Sequence, residues 1–316
     1  MKILVTGAGG FIGSSLCAGL MQEGHEVLGV DSLSPDLYPV AEKLNNINLL
    51  KINPRFKFVK KDLAKDDIRE ELSEAQVVIN EAGLPSTQYS WNHLNSCTKN
   101  NFLAVGNLLA MVAEFPSLYL VQASSSSVYG DNVDGDENQP LLPVSPYGVT
   151  KMAAEKLIEA YGYQAGVRYS ILRYFSVYGP NQRPDMAYAI FCESLINGKT
   201  IPIFGDGLQT RNNTFILDVV DATMLAATLQ PRNMTFNICG SEEISLLHAI
   251  DLLEKNLGME AKTSFLTRNK GDQFRTRGST EKAFQFLGWT PKVSIKDGLF
   301  LQAQAALQSR EISQRD

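Results

Sequence analysis

The chain predicts a doubly wound α/β fold, a parallel sheet with helices on both faces, joined to a smaller mixed α/β lobe toward the C-terminus. Three observations lead there. Lys2 to Thr6 is a short apolar run that enters the glycine-rich turn G-A-G-G-F-I-G and then a helical pattern closed by Gly24. Strand and helix patterns alternate from there to Arg173, the order that builds parallel strands joined by crossover helices. Beyond Arg173 the alternation breaks into Gly- and Pro-punctuated segments, and 316 residues are enough for a second lobe.

Taken in order, Gly7, Gly10 and Gly13 are spaced G-x-x-G-x-x-G, so backbone amides at a helix N-terminus can approach a pyrophosphate where the helix dipole favours negative charge. Glu26 to Val30 reads as the second strand and ends in Asp31, where a carboxylate accepts the ribose hydroxyls and repels a 2′-phosphate. That combination favours NAD over NADP. Ser34 to Pro54 reads as an irregular crossover. Phe56 to Lys60 is a strand leading into Asp62-Leu63, and Val77 to Asn80 another leading into Glu81-Ala82-Gly83. Residues at the C-terminal ends of parallel strands line the ligand crevice, so Asp62, Leu63, Asn80 and Gly83 are candidate cofactor contacts. Asn101 to Phe115 has a helix pattern, and Tyr119 to Ala123 and Val167 to Arg173 are the fifth and sixth strands.

After Arg173 the sequence predicts helices over Ala187 to Asn197, Asp218 to Leu229, Ile244 to Leu257, Thr280 to Leu287 and Ile295 to Gln308, and a strand over Thr235 to Ile238. Ser309 to Asp316 reads as a polar end that frays. Arg173, Arg183 and Arg211 stand out as polar anchors whose forked guanidinium groups suit phosphate or carboxylate.

A net charge of −5 argues against a nucleic-acid partner, which favours a basic face. Cys17, Cys97, Cys192 and Cys239 form neither a C-x-x-C pair nor a dense framework, which suggests reduced thiols in the cytoplasm. His25, His93 and His248 lack metal-ligand spacing, so no metal is expected. The opening M-K-I-L-V-T-G is too short an apolar run for a signal peptide, and no run reaches membrane-spanning length, so no membrane association is expected.

The chemistry concentrates between Ala123 and Lys151. Four serines, Ser124 to Ser127, precede V-Y-G, and an acidic loop leads to S-P-Y-G-V-T-K. A Ser-Pro start predicts a helix from near Pro146, which sets Tyr147 and Lys151 on one face of its first turns. A nearby ammonium favours the ionised phenol, making a base usable near neutrality, and a serine hydroxyl can share the same substrate oxygen.

T-G-A-G-G-F-I-G, Asp31, Asp62-Leu63, the serine run before V-Y-G, S-P-Y-G-V-T-K, R-Y-F-S-V-Y-G-P, F-G-D-G-L-Q-T-R and G-D-Q-F-R-T before L-G-W-T-P together resemble the extended short-chain dehydrogenase/reductase family, the NAD-dependent epimerase/dehydratase family of nucleotide-sugar enzymes. The resemblance spans nearly the whole chain. It implies a Rossmann-type NAD-binding domain over 1–175 that also receives parts of about 214–240, with 176–316 mainly a nucleotide-sugar lobe. By the same resemblance Tyr147 is the base, Lys151 lowers its pKa and anchors the nicotinamide ribose, and Ser125 shares the substrate oxygen. Gly7, Gly10, Phe11, Ile12, Gly13 and Asp31 then hold NAD together with Asp62, Leu63, Asn80, Ala82, Gly83 and the family asparagine, Asn101. Arg211 resembles the arginine on the nucleotide diphosphate, and Ser86, Ser126, Ser127, Ser176, Arg183 and Asp272 are implied on the sugar side. A homodimer is likewise implied, through a four-helix contact using Asn101 to Phe115 and Lys151 to Tyr161.

Within the family, sugar 4,6-dehydratases carry acidic residues where this chain has Ser126 and Ser127, so elimination lacks its acid and base. The serine run with S-P-Y-G-V-T-K and Q-R-P-D-M is most similar to the 4-epimerases, those of bacterial UDP-glucuronate in particular, with Arg183 and the serines near a carboxylate or C6 group. Departures exist. Asn80-Glu81-Ala82-Gly83 replaces His-x-Ala-Ala, Ser176 replaces the common asparagine, R-N-N-T-F-I-L-D replaces R-D-F-T-Y-V-D-D, the stretch before Ser90-Trp91 lacks an arginine, and Arg268 sits one place off. They bear on the sugar and leave the redox residues in place. A decarboxylase, dehydratase or dehydrogenase on this fold, or a non-catalytic NAD sensor, are the other readings.

Overall fold

The computed structural model describes residues 1–313. β1 (Lys2–Thr6) and α1 (Phe11–Gln22) flank the glycine turn, and β2 (Glu26–Asp31) follows. α2 (Val40–Leu50) lies inside the segment expected to be irregular. Its signal was Lys43, Ile47 and Leu50, buried at helical spacing but diluted by asparagines. β3 (Phe56–Lys60), α3 (Arg69–Ser73) and β4 (Val77–Asn80) come next. The short α4 (Thr87–Asn92) and α5 (Leu94–Thr98) and a π-helical turn over Lys99–Leu103 lead into α6 (Ala104–Val112). The helix expected over Asn101 to Phe115 therefore starts as a widened turn and stops before Phe115.

β5 (Tyr119–Ser125), β6 (Asn132–Gly135), α7 (Pro146–Gln164), β7 (Arg168–Tyr174) and β8 (Val177–Tyr178) carry the chain through the reactive stretch. α8 (Ala187–Ile196), β9 (Thr200–Phe204), β10 (Thr210–Asn212), β11 (Thr214–Phe215), α9 (Ile216–Leu229) and β12 (Met234–Ile238) follow. The chain then forms β13 (Glu243–Ser245), α10 (Leu246–Leu257), β14 (Lys262–Leu266), β15 (Arg275–Gly278), α11 (Glu281–Leu287) and α12 (Ile295–Ser313). α12 continues past Ser309, where fraying was expected; 314–316 lie outside the described residues.

The seven-stranded sheet has the order β12-β7-β5-β4-β1-β2-β3, with every pairing parallel. Ile3 and Val5 point to one face and pack with Leu16 and Leu20 of α1 and Val219 and Ala222 of α9; Leu4 points to the other and packs with Leu108 of α6 and Ile158 of α7. Strand order reverses between β1 and β4, so the crevice for a ligand opens above their C-terminal ends. β12 comes from beyond the reactive stretch and stacks its Phe236 against Leu172 of β7 in register.

A four-stranded sheet, β13-β10-β15-β6, roofs the other side of this crevice region by pairing Arg211 with Ile244 and Thr276, and Arg275 with Asn132. β9 pairs with β14 in a separate two-stranded sheet. β13 takes Ile244 and Ser245, where a helix was expected to begin, and the other strands fall where the sequence predicts no element. Short strands paired with segments distant in sequence leave no local pattern.

Candidate active site

The cleft begins at the glycine turn. Gly7 has φ +67°, and a Cβ there would lie 2.9 Å from the Ala82 nitrogen; one on Gly13 would collide with the Gly7 carbonyl. No side chain caps α1 at Gly10, so its first amides are left for a ligand. Gly7, Gly10, Phe11, Ile12 and Gly13 line the cleft, and the buried Asp31 closes its end. The Asp31 carboxylate accepts from Gly9 N at 3.0 Å and Leu33 N at 2.7 Å. An uncapped helix start, a cradle that side chains would fill and a fixed carboxylate fit a dinucleotide. Asp62, Leu63, Ala82 and Gly83 line the same wall.

At the other end α7 delivers the reactive pair. Ser145 caps the helix by accepting from Gly148 N at 3.1 Å, and Pro146 occupies the first turn, so Tyr147 and Lys151 are held on its buried side. Ser90 Oγ accepts the Tyr147 amide at 3.1 Å. The Tyr147 phenol shares the cleft with Ser125, the last residue of β5, whose hydroxyl accepts from Ser127 N at 3.1 Å. Burial pushes the Tyr147 phenol up to about 12, while Ser125 and the Arg183 charge pull it down. The Arg183 charge thus favours the ionised Tyr147 phenol as well. The Lys151 ammonium donates instead to the Ala123 carbonyl at 2.9 Å, and burial pushes it down to about 8.

Ser126, Ser127, Ser176, Arg183, Arg211 and Asp272 also line the cleft. Ser176 has φ +26°, a left-handed value more common for asparagine than for serine. Arg211 donates from Nη2 to Asp272 Oδ1 at 2.8 Å and from Nη1 to Thr210 O at 2.8 Å. Asp185 takes Arg183 Nε at 2.9 Å and Nη2 at 2.8 Å, and Pro85 O accepts from Nη2 at 3.3 Å.

Four expected contacts point elsewhere. Asn80 is buried, accepts from Thr6 Oγ1 at 2.5 Å and donates to Gln122 Oε1 at 2.8 Å, a cross-tie among three strands. Asn101 accepts from Leu84 N at 2.7 Å and donates to Thr150 Oγ1 at 3.2 Å, which ties the 82–85 loop to α7 from behind. Ser86 caps α4 by accepting from Tyr89 N at 3.3 Å. Arg173 captures a carboxylate, but that of Glu155. Sequence reasoning also passed over Glu81 and Tyr174, which line the cleft and join at 2.7 Å.

Among the described residues no helix is long and apolar enough to cross a membrane. A profile of the NAD dependent epimerase/dehydratase family matches residues 3–239. A Bacillus subtilis relative bearing the name uncharacterized UDP-glucose epimerase is 40% identical over 306 residues, 95% of this chain and 96% of the relative. The UDP-glucuronate 4-epimerase of Thermodesulfobacterium geofontis is 36% identical over 303 residues, 94% of this chain and 93% of that protein. The crystal structure of UDP-glucuronic acid 4-epimerase from Bacillus cereus in complex with UDP-glucuronic acid and NAD matches with a TM-score of 0.94 at 36% identity, covering 98% of this chain and 100% of that one. The chain belongs to the NAD-dependent epimerase/dehydratase family.

Proposed function

We propose that this protein is an NAD-dependent 4-epimerase of nucleotide sugars that takes a UDP-hexuronic acid or UDP-hexose through a transient 4-keto intermediate. One observation carries the reading: Ser125, Tyr147 and the buried Lys151 meet in one cleft, while serines and not acids stand at 126 and 127. The activities named for the relatives agree with it.

Bound NAD supplies the acceptor, and then the donor, of a hydride at sugar C4. The uncapped amides of Phe11, Ile12 and Gly13 would receive its pyrophosphate beside Gly10, Asp31 its ribose hydroxyls, and Asp62, Leu63, Ala82 and Gly83 would flank it. Tyr147 takes the 4-hydroxyl proton and returns it, and Ser125 holds the same oxygen. Lys151 supplies positive charge beneath them. The keto sugar turns over between departure and return of the hydride, so C4 is inverted with no net oxidation. Arg211, its Nη1 and Nη2 held by Thr210 O and Asp272, offers its charge and its Nε to the diphosphate, and Ser126, Ser127, Ser176 and the Nη1 of Arg183 face the C6 group. In this division residues 1–175, with parts of 214–240, hold NAD, and 176–316 mainly hold the sugar nucleotide.

The proposal includes a homodimer through a four-helix contact of Asn101 to Phe115 and Lys151 to Tyr161. In support, Trp91, Leu94, Phe102, Val149 and Ala153 line an apolar hollow beside Pro146, and Leu103 and Val149 are exposed. Four buried, unpaired cysteines suit the cytoplasm as its compartment. Incubation with a panel of UDP-, GDP- and dTDP-sugars, with products separated by NMR, tests the reading: it requires a new diastereomer of unchanged mass, and carbon dioxide, a dehydrated ketone or net NADH would overturn it.

A further inference from the structure

The cleft wall holds an ionisable group to which the reaction above gives no task. Glu81 follows β4 beside the glycine turn, where a Cβ on Gly7 would lie 2.9 Å from its carbonyl carbon. Its carboxylate reaches past the end of β5 to accept the Tyr174 hydroxyl at 2.7 Å, and that hydroxyl also pairs with Thr223 Oγ1 of α9 at 2.8 Å. Glu81, Tyr147, Lys151 and Tyr174 line one cleft, and the Glu81 charge acts on both Tyr147 and Lys151. With the pyrophosphate cradle at one end and Tyr147 at the other, the redox ring of a dinucleotide must lie along the stretch of wall that Glu81 belongs to.

We propose that the Glu81 carboxylate sets the redox balance of the bound cofactor, favouring the cationic oxidised nicotinamide over the neutral reduced ring. The inference rests on NAD occupying this cleft. Oxidised nicotinamide carries a positive charge that a nearby carboxylate stabilises, and the charge disappears when the C4–H electron pair of the sugar arrives. The 4-hydroxyl proton moves to Tyr147 in that step, and both return in the second half, so no outside oxidant is used. Raising the energy of the reduced state drives the hydride back onto the ketone and shortens the time in which the ketone can escape. An isomerase that ends each turnover with its cofactor unchanged gains from that bias.

The bias should also depend on pH. Burial pushes the Glu81 carboxyl up to about 7, against the Tyr174 hydrogen bond and the Lys151 charge. The groups facing it are Tyr174 of β7, Lys151 and Tyr147 of α7, Cys17 of α1 and Thr223 of α9. As pH rises from about 6 to about 8 the carboxylate fills, and preference for the oxidised cofactor strengthens.

The test equilibrates wild-type and Glu81→Gln holoprotein with an equimolar excess of NAD and NADH, removes free nucleotide by gel filtration, and reads the bound ratio from the absorbance of released reduced nicotinamide. Glutamine keeps an acceptor for Tyr174 and removes the charge. The expected result is a bound NAD-to-NADH ratio roughly tenfold lower in Glu81→Gln, the equivalent of about one pKa unit of charge interaction, with its pH dependence from about 6 to about 7 lost. A ratio within about twofold of wild type overturns the proposal. From about pH 6 to about 7, below the loss of the Lys151 charge, the wild-type pH series decides independently of how the variant folds, and a flat ratio there also overturns it. Retention of neither nucleotide would overturn the cofactor reading itself, whereas retention with unchanged preference overturns only the role of Glu81.

Discussion

Arg173 closes on Glu155 with two edges of its guanidinium, Nε to Oε1 at 3.0 Å and Nη2 to Oε2 at 2.7 Å, and both side chains are almost wholly buried. The pair joins β7 to α7. Ser124 Oγ donates to the same carboxylate at 2.5 Å, and Arg173 Nη1 donates to the Tyr129 hydroxyl at 2.7 Å. The strand that ends in Ser125 and the helix that carries Tyr147 and Lys151 are therefore held in one geometry from below.

Removing one partner leaves a buried charge uncompensated. Arg173→Met should cost about 3–5 kcal/mol in urea unfolding, and Glu155→Leu a similar amount. The double variant should be less destabilised than the sum of the two, by more than about 1 kcal/mol. Simple additivity would mean the pair does not act as a unit.

Lys151 gives a pH signature. Burial holds its ammonium down to about 8, against the pull of Glu81 and Glu155. Below that value it is charged; as pH rises through it, the positive field that favours a Tyr147 phenolate is lost. The free-enzyme profile of kcat/KM should therefore fall above about pH 8. Lys151→Arg stays cationic across the range and should be slower but without that basic limb. A wild-type profile still rising at about pH 10 would remove Lys151 from this role.

Much of this site was legible in the sequence, for reasons that separate by residue. The glycine turn and Asp31 follow from apolar alternation ending at a turn, and Pro146 marks the start of α7, so Gly7, Gly10, Gly13, Tyr147 and Lys151 were placed correctly in the cleft. Asn80, Ser86 and Asn101 were not, because position at a strand end or loop does not say which way a side chain turns; all three satisfy backbone or neighbouring amides. Glu81 escaped attention because its partner Tyr174 is 93 residues away in the chain. The roof sheet was hidden for the same reason, since β10 and β15 pair across most of the C-terminal lobe.

Arg183 separates the acidic from the neutral substrate. With Nε and Nη2 engaged by Asp185 and Pro85, only Nη1 remains for a substrate carboxylate, so the contact is a single charge-assisted hydrogen bond and not a fork. Arg183→Leu should lower kcat/KM for UDP-glucuronate roughly tenfold more than for UDP-glucose, a loss of about 1.4 kcal/mol. Equal losses for the two sugars would assign Arg183 to holding the 183–185 turn alone.

In this mechanism the hydrogen on sugar C4 leaves and comes back without meeting water. UDP-glucuronate and UDP-glucose carrying deuterium at C4 should be incubated with the wild-type protein in ordinary water and followed by NMR. The expected product from the protein's substrate is a C4 epimer of unchanged mass with the deuterium retained at C4. Exchange of that deuterium with solvent, or a product in which C4 is not inverted, would contradict it.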